Sequence, residues 1–73
     1  MINQTTLTTD KYTAVIPTEL LQNVVLTMYN KTYPTFDKFL QEYTNKDVTH
    51  ILFFLFNRGL LDEVKIYERK ENI

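Results

Sequence analysis

Residues 48–61 read Val-Thr-His-Ile-Leu-Phe-Phe-Leu-Phe-Asn-Arg-Gly-Leu-Leu, and more of the architecture follows from them than from any other stretch. Four apolar residues recur there at helical spacing and predict one buried helical face: Val48, Ile51, Leu52 and Leu55. Gly59 then stands where a helix often ends on a glycine in the left-handed conformation. The stretch therefore predicts a helix that closes at Asn57-Arg58-Gly59.

Three phenylalanines in this helix are the most informative residues of the chain. At about 100° per residue, Phe53 and Phe54 point away from the buried face, and Phe56 is close by. A contiguous exposed aromatic patch is unusual on a soluble monomer, so we expect something to cover these rings. Three covers stay open: the N-terminal strand or C-terminal segment, a homodimer interface, or a different protein. The candidate interface is Phe53, Phe54, Phe56 and Asn57.

Two further helices are predicted upstream. The first runs from about Pro17 to Asn30, because proline suits the first turn and apolar residues then repeat on one face. The second covers about residues 35–44, with Thr35 as its N-cap. The third helix begins at a polar turn in which Asn45 and Asp47 are both possible caps.

Short strands are predicted at either end of this helical region. Tyr12–Ile16 is rich in β-branched and aromatic residues and stops at a proline, while Val64 and Ile66 alternate with polar neighbours in a half-buried pattern that ends near Arg69. Residues 1–11 are polar and rich in threonine, which predicts a flexible tail. Residues 70–73 are expected to fray. One domain over residues 12–69 is therefore predicted.

Composition excludes several classes of function. The 73 residues contain no Cys and one His, so neither a disulfide framework nor a zinc cluster is expected. No convergent pair of catalytic groups can be assembled, which predicts a non-enzymatic protein without cofactor, metal or small-molecule substrate. The longest apolar run, residues 51–56, is too short to cross a bilayer, and the N-terminus does not resemble a signal peptide. We therefore expect a cytoplasmic protein with no membrane segment.

The third helix and its exit resemble those of winged helix-turn-helix proteins. In that family, two leucines three apart precede a Gly-Leu-aliphatic exit into the wing, as Leu52, Leu55 and Gly59-Leu60-Leu61 do here. Other matching positions are the packing residues Val48, Phe39 and Tyr43, the cap Thr35, and a short extended link at residues 32–34. The resemblance covers about Thr18 to Tyr67.

This resemblance implies an α+β domain of three helices with a small two-stranded sheet and a truncated wing, in the order strand-helix-helix-helix-strand. It places base-facing positions at Lys46, Asp47, Thr49 and His50. It implies phosphate contacts from Lys31, Lys38 and Lys46, with Lys65 or Arg69 as further candidates. Three features depart from the family: the link at residues 44–46 holds no glycine, residues 60–69 contain neither the Gly nor the Pro expected at a turn between two wing strands, and the exposed side of the helix is aromatic.

Two functions follow as expectations. The first is a small winged-helix regulator that binds DNA as a homodimer. The alternative is a protein-binding module, with a composition that would suit a phage or mobile element, that docks a partner through the third helix. The net charge of −1 weakens the case for DNA. A positive surface over residues 46–57 would favour DNA, whereas a flat aromatic one would favour a protein partner.

Overall fold

A computed structural model describes residues 3–69. They form a small α+β domain with three helices and a three-stranded antiparallel sheet. In chain order the elements are β1 (Gln4–Thr8), β2 (Tyr12–Pro17), α1 (Thr18–Tyr29), α2 (Phe36–Glu42), α3 (Asn45–Asn57), a 3-10 turn (Leu61–Glu63) and β3 (Lys65–Glu68). The predicted fraying of residues 70–73 lies outside the described residues.

The first strand corrects the prediction of a flexible tail over residues 1–11. Gln4–Thr8 pairs with β2, with Leu7 opposite Ala14, and both side chains are completely buried. The hairpin turn is held by Thr9, whose hydroxyl donates to the Tyr12 carbonyl and accepts from the Lys11 and Tyr12 amides. The sheet therefore has three strands in the order β1-β2-β3, where two were predicted.

The helices pack on one face of this sheet. Leu7, Ala14 and Ile16 point to that face and join a core formed with side chains from all three helices. The opposite face carries Thr6, Thr8, Thr13 and Val15, which are exposed or half-buried. Burial on a single face explains why buried and more exposed side chains alternate along β1 and β2.

Helix boundaries follow local capping chemistry. Pro17 precedes α1, and the Thr35 hydroxyl accepts from the Lys38 amide at the start of α2, as predicted. At α3 the cap is Thr44, where Asn45 or Asp47 was predicted: the Thr44 hydroxyl accepts from the Asp47 amide, and the Asp47 carboxylate accepts from the Thr44 amide. This reciprocal pair satisfies two amides that helix geometry leaves without partners.

The end of α3 is as predicted. Gly59 has a φ of 70°, just beyond the last helical residues, and is the only described residue with positive φ. The Leu60 amide donates to the Leu55 carbonyl, which closes the helix in the way a left-handed glycine permits. The chain can thus turn from α3 towards β3.

Substituting Gly59 tests this helix end. Gly59→Val is expected to cost about 1–2 kcal/mol of unfolding free energy, because a β-branched residue is disfavoured in the left-handed region. A Cβ added at Gly59 would meet no atom within 4 Å, so the cost comes from the backbone alone. Gly59→Asn is the control, since asparagine tolerates this conformation. Equal urea midpoints for the two variants would contradict the assignment.

Strand β3 differs from its prediction in one respect. It pairs with β2 as expected, with Ile66 opposite Ala14 and Tyr67 opposite Thr13. Its apolar residue was predicted to be half-buried, but Ile66 is 49% exposed. Because Ile66 shares the face of buried Ala14, its exposure shows that the helical layer stops short of this edge.

Candidate interface on helix 3

The exposed side of α3 brings together residues from both sequence-based site predictions. Lys46, Thr49, His50, Phe53, Phe56 and Asn57 are all exposed and follow one another along the helix. We call this set the α3 face. Its opposite side buries Val48, Ile51 and Leu55. The helix therefore uses one side for the core and presents the other to solvent.

Phe53 and Phe56 give the α3 face its aromatic character. Phe53 is 64% exposed and Phe56 is 61% exposed, and the two lie three residues apart, where helical side chains are neighbours. No segment within residues 3–69 covers them, so of the three open covers the N-terminal strand is wrong, while the end of the C-terminal segment lies outside the described residues. Asn57 is exposed beside them.

Phe54 does not belong to this face, contrary to the expectation that groups it with Phe53. It is half-buried and packs against the core. The Arg58 guanidinium lies 4.6 Å from the centroid of its ring, in cation–π geometry. At 100° per residue, Phe54 lies on the flank of α3 that turns back towards the core.

The candidate DNA-contacting residues are only partly free to bind. The Thr49 hydroxyl donates to the Asn45 carbonyl and lies 3.3 Å from the Tyr12 hydroxyl. Lys38 forms an ion pair with Glu42 on α2. Lys46 and His50 are exposed on α3, and Lys31 is exposed just after α1. Thus α3 contributes one lysine to the face that was expected to read DNA.

The remaining candidate cations are Lys65 on β3 and Arg69 just beyond it, and the Asp10 carboxylate lies at the start of α3. The Asn45 side chain donates to the Asp10 carboxylate at 2.8 Å, which holds a negative charge at the start of α3. The Arg69 side chain donates to the Thr9 carbonyl at 2.8 Å, and Lys65 is exposed on β3. The α3 face is therefore not strongly positive.

A partly buried polar cluster behind the N-terminus of α3 was missed at the sequence level. The Tyr33 hydroxyl donates to the Asp47 carboxylate at 2.6 Å, which joins the α1–α2 connection to α3. The pKa of Tyr33 is raised to about 12, mainly by this bond and secondly by burial of the hydroxyl. Burial and the Asp47 charge raise the pKa of Tyr29 to about 12, although its buried hydroxyl makes no hydrogen bond. The spacing Thr44-x-x-Asp47 was the available signal for the cap, but no sequence pattern indicated Tyr33.

The carboxylate of Asp47 titrates below its ordinary range. Burial raises its pKa, but the hydrogen bonds from Tyr33 and Thr44 act in the opposite direction and prevail, so the pKa is lowered from 3.8. Asp47 is thus ionised at neutral pH and serves as an acceptor for both partners. Its role is structural, since it turns away from the α3 face.

Acid is expected to remove this contribution. A carboxyl whose pKa is lowered by folding stabilises the protein above its unfolded pKa, and the stabilisation is lost as the pH falls through the folded pKa. Unfolding free energy should therefore fall more steeply below about pH 4 in the wild type than in Asp47→Asn, measured by urea unfolding at each pH.

Tyr33→Phe keeps the ring and removes the hydrogen bond to Asp47, so it should lower the free energy of unfolding by about 1–3 kcal/mol at pH 7. A Tyr33→Phe cost that is unchanged at pH values where Asp47 is protonated would contradict this account.

Comparisons with known proteins identify no relative. No protein-family model matches the chain, and neither the curated proteins nor the solved structures contain a significant match. No helix formed by residues 3–69 combines the length and the apolar character that crossing a membrane requires.

Proposed function

We propose that this protein is a small non-enzymatic protein-binding module that docks a partner through the α3 face. One observation carries the proposal: Phe53 and Phe56 lie one turn apart on α3 and are both more than half exposed. Large aromatic side chains concentrate at protein interfaces, where a few such anchors supply most of the binding energy. We expect the rings of Phe53 and Phe56 to insert into an apolar pocket of the partner.

DNA binding by a dimer is the second candidate. The winged-helix resemblance makes α3 the recognition helix, and Lys46, Thr49 and His50 do lie on its exposed side. Thr49 and His50 could bond base edges, and Lys46 could meet a phosphate. However, a specific complex generally neutralises several phosphates, while this face offers one lysine beside the Asp10 carboxylate. The charge balance therefore favours a protein partner.

A peptide-display selection tests the proposed docking site. A random peptide library is selected on dilute immobilised wild-type protein, and the recovered peptides are titrated against Phe53→Ser and Phe56→Ser. We expect each change to weaken binding by about 10- to 100-fold, as loss of an aromatic anchor does. Leu26→Ser is the matched control, because Leu26 is 69% exposed but lies on α1.

Two outcomes would overturn the docking proposal. One is a set of peptides whose affinity is the same for the wild type and both phenylalanine variants. The other is equal loss of affinity in Leu26→Ser, which would place the binding surface elsewhere. Circular dichroism of each variant verifies that the fold is retained.

A mobility-shift titration tests the DNA candidate. At about 50 mM salt electrostatic binding is near its strongest. As salt is added, the logarithm of the association constant should fall linearly with the logarithm of the salt concentration, with a slope of about −0.9 per phosphate contacted. Lys46→Ala should weaken all sequences alike, whereas Thr49→Ala or His50→Ala should reduce discrimination between sites. Absence of any shift with duplex DNA under these conditions removes the DNA candidate.

A further inference from the structure

The outer edge of β3 offers backbone groups for pairing. The Arg69 amide donates to the Lys11 carbonyl at 2.9 Å, so Lys11 and Arg69 are a hydrogen-bonded pair. Because bonded and non-bonded pairs alternate in an antiparallel ladder, this pair identifies which β3 residues bond β2. In an antiparallel ladder with this register, Lys65 and Tyr67 bond β2, and Ile66 and Glu68 direct their N–H and C=O groups away from it. Within residues 3–69 the outward N–H and C=O groups of Ile66 and Glu68 have no hydrogen-bond partner.

The opposite edge of the sheet is shielded at one position. There the Thr8 amide, which points away from β2, donates to the Tyr43 hydroxyl at 2.9 Å. Protein sheets commonly shield such edges, because unpaired strands recruit other strands. A side chain therefore interrupts the β1 edge at Thr8, whereas no such bond interrupts the β3 edge within residues 3–69.

Helix α3 runs beside β2. The Thr49 hydroxyl near its start is 3.3 Å from that of Tyr12, and Leu60, three residues beyond its end, lines the same groove as Pro17. Helix and strand therefore run in the same direction. Four helical residues and two strand residues both advance about 6 Å, so Phe53 lies at the level of the Ala14–Ile66 pair. Phe53 and Ile66 thus stand at the same level along the sheet, and we call the α3 face together with the open β3 edge the α3–β3 margin.

We propose that this margin binds a second copy of the chain. Two β3 strands pair antiparallel about a two-fold axis at Ile66, and the α3 faces of both copies close over the junction. The inference rests on the proposed function, since it names the partner of the α3 face. It adds an observation of its own, the open backbone edge.

The side chains of β3 select the register of this pairing. A two-fold axis perpendicular to the sheet keeps both helical layers on one side and pairs either Ile66 with Ile66 or Tyr67 with Tyr67. The Tyr67 register would place Lys65 opposite Arg69 of the other copy, which is unfavourable because like charges repel. The Ile66 register joins two half-exposed apolar side chains and places each Lys65 opposite a Tyr67 ring, where cation–π attraction is possible. The strand is therefore self-complementary about Ile66.

The area needed for a stable dimer explains the part played by the α3 face. Specific interfaces bury about 1,200–2,000 Å² in total, more than a four-residue strand supplies. A large aromatic side chain can bury about 150–250 Å². Phe53 and Phe56 from both copies can supply much of the missing area.

A proline substitution at the edge tests the inference. Ile66→Pro removes an N–H that points away from β2, so the internal sheet is retained while the pairing between copies is lost. Thr6→Pro is the matched control, because Thr6 occupies the equivalent outward position on β1. In sedimentation at up to about 1 mM, wild type and Thr6→Pro should form dimers of the 8.7 kDa chain and Ile66→Pro should be monomeric.

Amide exchange of the wild type gives a second readout that needs no variant. Raising the concentration from about 10 μM to about 1 mM should slow exchange of the Ile66 and Glu68 amides by about tenfold or more, with no change at Thr6. A wild type that stays monomeric, or a dimer that survives Ile66→Pro and leaves these amides unprotected, overturns the inference. Neither result affects the peptide-display test of the α3 face, so the two proposals fail separately.

Discussion

Phe39→Ala is expected to lower the free energy of unfolding by about 3–5 kcal/mol, which is the usual cost of removing a fully buried aromatic ring. Phe39 has no exposed surface and is the largest completely buried side chain of the described residues. Its ring centroid lies 5.4 Å from those of both Tyr33 and Tyr43, and Phe36 stacks against it at 6.1 Å. Removing the ring therefore leaves a cavity at the centre of an aromatic cluster.

The consequence should be loss of the folded state under mild conditions. A single core in a chain of this length rarely supplies more than about 3–5 kcal/mol of stability, so Phe39→Ala removes most of the free energy of unfolding. Phe53→Ala is the matched control, because it deletes the same ring from a mostly exposed position on α3. It should change stability by less than about 1 kcal/mol. Similar thermal midpoints for the two variants would contradict the burial pattern.

Leu7→Ala is expected to cost about 2–5 kcal/mol, the range for a buried leucine truncated to alanine. Leu7 is completely buried between β2 and the helices, opposite Ala14 in the sheet. Thr6→Ala, the next residue along β1, is the control because that side chain points to the exposed face. Its expected cost is below about 1 kcal/mol. Urea denaturation of the two variants measures the difference.

This comparison also separates a strand from a flexible segment. If residues 4–8 were a mobile tail, neither substitution would change the midpoint, because chain ends without packing contribute little. A large effect at Leu7 beside a small one at Thr6 requires an ordered strand with one buried face. Equal effects at both positions would rule out the alternation assigned to β1.

The helices could be predicted from the sequence because their signals are local. Apolar spacing marks the buried side of α1, α2 and α3, and Thr35 and Gly59 supply a start and an end through their own backbone geometry. The cap at Thr44 was local too, although the reciprocal bond with Asp47 was not recognised. The exposure of Phe53 on α3 likewise follows from helical periodicity.

The sequence by itself determined three helices, the strands β2 and β3 and the aromatic side of α3, because each is specified by residues within a few positions of one another. Only the tertiary structure decided the rest. Leu7 is one apolar residue among threonines, and its strand forms because β2 and the helical layer bury it. Tyr33 meets Asp47 across 14 positions, and Ile66 stays exposed because the helices stop short of β3. Burial between distant segments depends on how the layers pack, which a local pattern does not encode.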